Sequence, residues 1–328
     1  MGGLSSMNSQ RTDLFGENDP EKVYRVLTFA DEIKPNPPHS HWAYLGIVSV
    51  AHENCNAAFE RLWTDRQFVG YEFELGWSDI KPTGKKAKPS PKEELAVRWL
   101  DRLVNEHDFW RFSILGIDTE RLNMSMFGDK RGDQIANAYR RFYRANLKNH
   151  VGQLHHEHEG VEIVKTYHDK EGRLEIDDWF SWHPQQVVAE RSTVMFREGA
   201  VTYVDSCHKK EPTHKKASHF IQLCDVLIGA TRYLFEDYAP NDARDRVVQH
   251  IHPLVTRLNS SNHFLNKNSR YKHVGRASMA FFPSRPLTES ELTDPFARSR
   301  STFFRDRQML QQIRSSGQQG LSFNDEPE

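Results

Sequence analysis

The sequence predicts an α/β domain in which helices flank a mixed central sheet. Apolar runs rich in β-branched and aromatic residues recur along the chain, and they are typical of buried strands. A few of these strands come first, and helical patterns then alternate with further strands. This order is the one expected of a layered α/β domain. In such sheets, ligands bind beyond the carboxyl ends of the strands.

Each element is predicted from its own pattern. Strands are predicted at 24–30, 42–50, 71–75, 112–117, 161–167 and 200–204. Helices are predicted at 54–68, 133–149, 185–196, 218–235 and 243–258. One more helix is marked by its start, with Ser90 at the N-cap, Pro91 at the first helical position and Glu93 two residues later.

The 328 residues suit one large domain or a domain with an appendage. We expect a flexible arm at 1–20, the main domain at 21–240, a helical extension at 241–284 and a polar, partly disordered tail at 285–328. The tail is rich in serine and arginine and poor in apolar residues, so it has little core to form.

Composition narrows the functional classes. With a net charge of −1 the protein has no overall positive potential that would attract nucleic acid, so any basic patch must be local. The three cysteines, Cys55, Cys207 and Cys224, lack the spacing of zinc or redox motifs. With a polar start and an odd number of cysteines, a reducing, cytoplasmic location is expected. No run approaches the roughly 20 apolar residues of a membrane helix, so no membrane partner is expected.

Carboxylates follow the predicted strands with some regularity, at Asp31, Glu32, Asp118, Asp169 and Asp205. For any one of them the ordinary explanation is a turn, since an aspartate side chain caps the turn that follows a strand. Asp225 differs, because it interrupts the most apolar helix of the chain. A lone carboxylate there must be paired, bound to a metal or protonated. Gln222 precedes it by three residues on the same helical face.

Carboxylates that converge from several strands and one helix would bind a hard divalent cation such as Mg²⁺ or Mn²⁺. Two such ions at about 4 Å from each other support phosphodiester cleavage. A metal site would also explain why an apolar strand contains the adjacent acids Asp31 and Glu32.

Five short motifs occur in order over roughly 24–235, about two-thirds of the chain: FADEI, WAYLGIVSV, ELGWSDIK, VDSCHKK and IQLCDVLIGA. Together they resemble the domain-of-unknown-function 3800 family. The resemblance implies a ribonuclease H-like fold and an acidic site that binds Mg²⁺ or Mn²⁺. It implies that the metal ligands and catalytic residues are Asp31, Glu74, Asp169 and Asp225, with Glu32 and Asp205 as second choices.

The sequence departs from the family pattern in three places. The usual Asp-Glu-Ser-Gly is Asp-Glu-Ile-Lys at 31–34, the lysine after Glu-Leu is Gly76, and the alanine before the helix aspartate is Cys224. The first change alters the turn that shapes the site. It leaves metal binding as an expectation and catalytic competence as an open question.

Basic residues near the predicted site could contact a nucleic-acid backbone. Lys85 and Lys86 follow the Glu-Leu-x-Trp segment, and Lys209 and Lys210 precede the late helix. The alternative is that both stretches are solvated loops. Arg140 and Arg144 lie with two tyrosines on one helix, a mixture that suits backbone contact and base stacking. It also suits an amphipathic helix with a charged outer face, which is the interpretation we favour.

Two functions from different classes remain. The first is a metal-dependent nuclease that hydrolyses phosphodiester bonds of RNA or DNA. The second is a catalytically inactive ribonuclease H-like binding module, with a protein partner or a second copy of the chain, in a microbial defence or mobile-element system. Convergence of the four carboxylates favours the enzyme, whereas an ion pair between Asp225 and an arginine or lysine favours the module.

Overall fold

The computed structural model describes residues 23–36, 40–82, 88–106, 109–119, 122, 124–155, 157–158, 160–170, 194–197, 201–236, 241–255 and 276–282. The predicted arm at 1–20, the tail at 285–328 and most of the predicted helix at 185–196 lie outside these residues. So do Lys85 and Lys86 and the side chains of Arg140 and Arg144.

The described residues form one sheet with helices on both faces. Its strands are β1 (Val23–Ile33), β2 (Trp42–Ala51), β3 (Arg111–Asp118), β4 (Gly160–Asp169), β5 (Val194–Phe196), β6 (Val201–Val204) and β7 (Ala277–Phe282). The principal helices are α1 (Cys55–Val69), α2 (Pro91–Asn105), α3 (Arg131–Leu154), α4 (Lys215–Phe235) and α5 (Asp242–Gln249). Within the described parts of the chain, no helix has the length and apolar character needed to cross a bilayer.

The sheet is mixed, and β1 lies near its centre. The main path runs β5-β4-β1-β2-β3-β7, in which β2 is antiparallel to β1 and β3. Strand β4 is parallel to β1, and β7 is parallel to β3. Strands β5 and β6 pair with successive stretches of the same edge of β4, so the seven strands occupy six positions. The predicted mixed α/β class is confirmed.

Two hydrophobic clusters lie on the two faces of the sheet. Phe29 and Val48 belong to the cluster that contains α4, whereas Ala30 and Ile47 belong to the cluster that contains α3. This alternation follows from the two-residue period of a strand. Because both faces are covered, β2 is a nearly continuous apolar run that is buried along almost its whole length.

The cap that was predicted from sequence is present at α2. The Ser90 side chain accepts a hydrogen bond of 3.2 Å from the Glu93 backbone N–H, and Pro91 opens the helix. The cap directs the apolar face of α2 inward, where Trp99 and Leu100 are fully buried.

Four local predictions were wrong. Strand β1 continues to Ile33, so its acids lie within the strand. Residues 71–75 are irregular. Residues 194–196 form β5 and residues 277–282 form β7, where helical structure was predicted. Strands β5 and β7 are short, and their partners β4 and β3 are distant in sequence, so local patterns carry little signal for them.

Candidate metal centre

Parallel strands bring several carboxylates to one edge of the sheet. Ala30 of β1 pairs with His168 of β4, so the next residues along these strands, Asp31 and Asp169, lie side by side. Asp169 pairs in turn with Val204, the residue before Asp205. Three acids therefore follow one another across the carboxyl ends of β1, β4 and β6.

Strand geometry separates the two adjacent acids of β1. Asp31 lies on the α4 face, where Cys224 and Asp225 are its neighbours. Glu32 lies on the α3 face, with its Oε2 atom 3.3 Å from His168 Nε2. The second-choice ligand Glu32 is therefore not brought together with Asp31.

Helix α4 presents a stripe of small and polar residues to this edge of the sheet. Ser218, Gln222, Asp225 and Gly229 are spaced by four, three and four residues, which places them on one helical face. Helix α4 can approach the sheet closely because Gly46 of β2 lies beneath it. A Cβ atom at Gly46 would lie 2.4 Å from Ile228 Cγ2 and 2.8 Å from Cys224 Sγ.

Trp77 positions Asp225. Its backbone N–H donates a hydrogen bond of 2.8 Å to Asp225 Oδ2. Its ring packs on Gly229, one turn further along α4, where a Cβ atom would lie 2.1 Å from Trp77 Cγ. The ring contact with Gly229 holds Trp77 against α4, and the backbone hydrogen bond of Trp77 then fixes the Asp225 carboxylate. Asp225 accepts a hydrogen bond from this amide, and among the described residues the charges that shift its pKa most are the carboxylates of Asp169, Glu74 and Asp79, not an arginine or lysine.

Gln222 fixes the two loops that complete the site. Its Oε1 atom accepts hydrogen bonds from Arg66 Nη2 at 2.6 Å and from the Leu75 N–H at 3.0 Å. Its Nε2 atom donates to the carbonyl of Ser206 at 2.6 Å. Ser218, one turn earlier on α4, donates to the carbonyl of Asp205 at 2.8 Å. The loops at 71–76 and 205–208 are thus held by side chains of α1 and α4.

Ser206 links the two loops to β4. Its hydroxyl donates to Glu74 Oε1 at 2.6 Å, and its backbone N–H donates to Asp169 Oδ1 at 3.1 Å. On either side of Ser206, Asp205 and Cys207 form a compact group with Glu74. One ligand atom from each of these three residues lies within 4.8 Å of the other two, a spacing that could hold a metal ion.

Burial raises the pKa values of the three aspartates of the site, and neighbouring negative charges add to the shifts of Asp31 and Asp225. Burial, followed by the negative charges of Asp225, Asp169 and Glu32, raises the pKa of Asp31 well above its ordinary value. Burial is the largest cause that raises the pKa of Asp225 to about 6; the hydrogen bond from Trp77 lowers this pKa, and the negative charges of Asp169 and Glu74 raise it. The pKa of Asp169 is also raised, mainly by burial. Asp225 and Asp169 therefore act electrostatically on Asp31, and Asp169 and Glu74 act on Asp225.

The structure thus places all four first-choice residues at one end of the sheet. Of these, Glu74 belongs to the compact group, together with the second-choice residue Asp205. Lys210 lies at the same loop, with its Nζ atom 3.5 Å from Asp205 Oδ2. The oxygen donors suit Mg²⁺ or Mn²⁺, and the Cys207 thiol would add a softer donor.

Helix α3 lies on the opposite face of the sheet. Its tyrosines Tyr139 and Tyr143 are buried in the core, which removes them as surfaces for base stacking. The favoured alternative, an amphipathic helix, is confirmed by this packing, and Arg141 is exposed on its outer side.

Sequence reasoning missed Ser206, Cys207 and Trp77 as parts of the site. Ser206 and Cys207 occupy a turn without periodicity. The available signal was the spacing of Ser218, Gln222, Asp225 and Gly229, because small or polar residues on one face of an apolar helix indicate that another segment packs there.

No protein-family model matches this chain, and no curated protein matches it. The family resemblance drawn from the five motifs therefore stays a prediction.

Proposed function

We propose that the protein is a metal-dependent phosphodiesterase of ribonuclease H-like fold that acts on nucleic acid. Asp31, Asp169 and Asp225 would hold Mg²⁺ or Mn²⁺, and Glu74 would lie between this oxygen-donor set and the group with Asp205 and Cys207. A catalytically inactive binding module remains the alternative.

One observation carries the proposal. Three aspartates from β1, β4 and α4 are withdrawn from water beside one another, and this burial together with the negative charges of neighbouring acids raises the pKa of Asp31 and Asp225. Placing like charges together in a partly dehydrated site is unfavourable unless a proton or a cation offsets them. A divalent cation offsets this repulsion and takes carboxylate oxygens as its preferred ligands.

The surrounding residues would hold the carboxylates in fixed orientations. Trp77 and Ser206 donate backbone hydrogen bonds to Asp225 and Asp169, and Gln222 fixes the loops on either side. Such supporting hydrogen bonds orient metal ligands and strengthen metal affinity. A bound divalent cation would supply Lewis-acid catalysis and charge neutralisation for phosphodiester cleavage.

The substrate class follows from the residues around the acids. Lys209 and Lys210 are exposed on the loop that contains Cys207, with 48% and 69% of their side-chain surfaces accessible. Ammonium groups beside a carboxylate site would contact the phosphates of a nucleic-acid backbone. The proposal therefore requires cleavage that weakens as the salt concentration is raised.

The test is a cleavage assay on single-stranded RNA, single-stranded DNA and a hybrid duplex, with Mg²⁺ or Mn²⁺ and with a chelator. Asp225→Asn should abolish cleavage. Asp242→Asn, which removes the same charge from α5 and from an ion pair with Arg246, should leave it unchanged. Cleavage that survives in Asp225→Asn, or no cleavage by the wild type with either metal, would contradict the proposal.

A further inference from the structure

Phe73 exposes a large apolar ring directly beside the candidate metal centre. The residue precedes Glu74 and is 64% exposed. Single exposed apolar residues are common on protein surfaces and need no explanation by themselves. Phe73 differs from such residues in how its backbone is held and in its position directly before Glu74, beside a lysine of the candidate site.

The backbone around Phe73 is fixed on both sides. Arg66 donates from Nη1 to the carbonyl oxygens of Tyr71 and Phe73. The Leu75 N–H is bonded to Gln222, and the Tyr71 hydroxyl donates to the Glu74 carbonyl at 2.9 Å. The chain is therefore held rigidly at the point where it turns an aromatic ring outward.

A cation lies on the Phe73 ring. The Lys209 Nζ atom is 4.3 Å from the ring centroid and 3.8 Å from Glu72 Oε2. The Tyr71 ring lies next to the Phe73 ring, with 5.9 Å between the two ring centroids. Aromatic rings interleaved with lysines are the surface that binds single-stranded nucleic acid, because each base has a π-face for stacking and each phosphate has a charge for pairing.

We propose that Phe73 is the stacking surface for an unpaired base next to the phosphodiester that the metal centre would cleave, with Lys209 contacting the adjoining phosphate. The preferred ligand is then a single strand, since a base within a duplex presents no free face. This inference rests on the proposed function, and it adds the strandedness of the substrate and a positioning residue.

Phe68 provides a matched control. It is 69% exposed, and the guanidinium carbon of Arg98 lies 4.0 Å from its ring centroid. It thus shares the exposure and the cation of Phe73, but it lies on α1 and packs against a residue of α2.

The experiment is fluorescence anisotropy with fluorescein-labelled oligothymidine, oligouridine and a blunt DNA duplex. Phe73→Ala should weaken binding of both single strands by about tenfold. Phe73→Trp should retain wild-type binding, and Phe68→Ala should match the wild type. An oligonucleotide with one abasic position, moved along the strand, should weaken wild-type binding at one position and should not weaken Phe73→Ala further. Equal binding by the wild type and Phe73→Ala, or an equal loss in Phe68→Ala, would overturn the inference.

Cleavage by the same variants separates this inference from the proposed function. If Asp225→Asn abolishes cleavage but Phe73→Ala binds normally, the metal centre stands and the stacking surface is wrong. If binding depends on Phe73 but no metal supports cleavage, the stacking surface stands as a binding site and hydrolysis is wrong. An absence of binding to any of the oligonucleotides overturns the inference as well.

Discussion

Asp31 and Glu32 are consecutive residues whose carboxylates lie on opposite faces of the central sheet. Asp31 faces α4 and its Asp225, whereas Glu32 faces α3 and lies 3.3 Å from His168. The alternation repeats one strand away, where His168 and Asp169 are also consecutive. One pair of acids, Asp31 and Asp169, is therefore available to a cation on the α4 face.

This separation answers why an apolar strand contains two adjacent acids. The Glu32 carboxylate has His168 as a partner inside the protein, and both side chains are buried. Asp31 instead lies among other carboxylates, and its burial together with their charges raises its pKa. The two acids have different environments, and the proposed metal belongs to the environment of Asp31.

The contact between Trp77 and Gly229 should be essential to the site. Gly229→Ala places a Cβ atom 2.1 Å from Trp77 Cγ, so the ring must move and the hydrogen bond to Asp225 must weaken. We expect a loss of about 1–3 kcal/mol in the free energy of unfolding, measured with urea. Mn²⁺ affinity should fall as well.

Gly116→Ala is the matched control for this substitution. Its Cβ atom would lie 2.6 Å from Phe281 in β7, so the substitution overpacks the core in a similar way, but on strand β3 and not on helix α4. It should lower stability while keeping Mn²⁺ affinity. If both variants lose Mn²⁺ affinity equally, Trp77 has no specific role at Asp225.

The hydroxyl of Ser206 should orient Glu74. Ser206→Ala removes the 2.6 Å hydrogen bond to Glu74 but keeps the backbone bond to Asp169. Mn²⁺ affinity should fall by about tenfold or more, since a ligand without its supporting hydrogen bond is poorly oriented. Calorimetric titration would measure this loss.

Ser206→Thr keeps the hydroxyl, and it should bind Mn²⁺ more tightly than Ser206→Ala. The free energy of unfolding should change by about 1 kcal/mol in the alanine variant. An unchanged Mn²⁺ affinity in Ser206→Ala would remove Glu74 from the set of ligands.

Much of the sheet could be predicted from the sequence because its central strands are long apolar runs. Strand β2 and the first part of β1 can be predicted without knowing which strands they pair with, because burial of both faces makes their sequences largely apolar. Strand β7 is different, because Ala277–Phe282 gains its partner β3 from far along the chain. The conformation at 71–75 depends on Arg66 and Gln222, whose hydrogen bonds to it cannot be deduced from local composition.

The site was predictable to the extent that its acids break a pattern. Asp225 stands out in an apolar helix, and Asp31 and Asp169 fall near the ends of recognisable strands. The faces of the sheet could not be assigned to Asp31 and Glu32 until the register with β4 was known. Ser206 and Cys207 lie in a turn whose position depends on Gln222, so their proximity to Glu74 is a tertiary property.

The contribution of His150 to stability should fall as the pH is lowered, because the fold excludes a proton from this ring. This ring lies between Ser113 and Ser49, at 2.9 Å and 2.7 Å. Burial, and secondarily the charge of Arg111, lowers its pKa to about 3. The unfolded chain binds this proton more tightly than the folded chain. The contribution of neutral His150 to the free energy of unfolding is therefore present above about pH 6.5 and is lost as the pH falls toward 3.

Urea unfolding at a series of pH values tests this relation. His150→Gln should be less stable than the wild type at neutral pH, since its hydrogen bonds change. Its stability should also depend less on pH below about 6.5, by up to about 1.4 kcal/mol per pH unit. His41→Gln, at an exposed position, should keep the wild-type slope. Equal slopes in the wild type and His150→Gln would contradict this account.

The central claim is that the carboxylates at the carboxyl ends of β1 and β4 and on α4 form a metal site. Calorimetric titration with Mn²⁺ tests it most directly, on the wild type, Asp225→Asn and the control Asp242→Asn. We predict saturable binding by the wild type and the control, and its loss in Asp225→Asn. Failure of the wild type to bind at millimolar Mn²⁺, or equal binding by Asp225→Asn, would contradict the metal site and favour a binding module without catalysis.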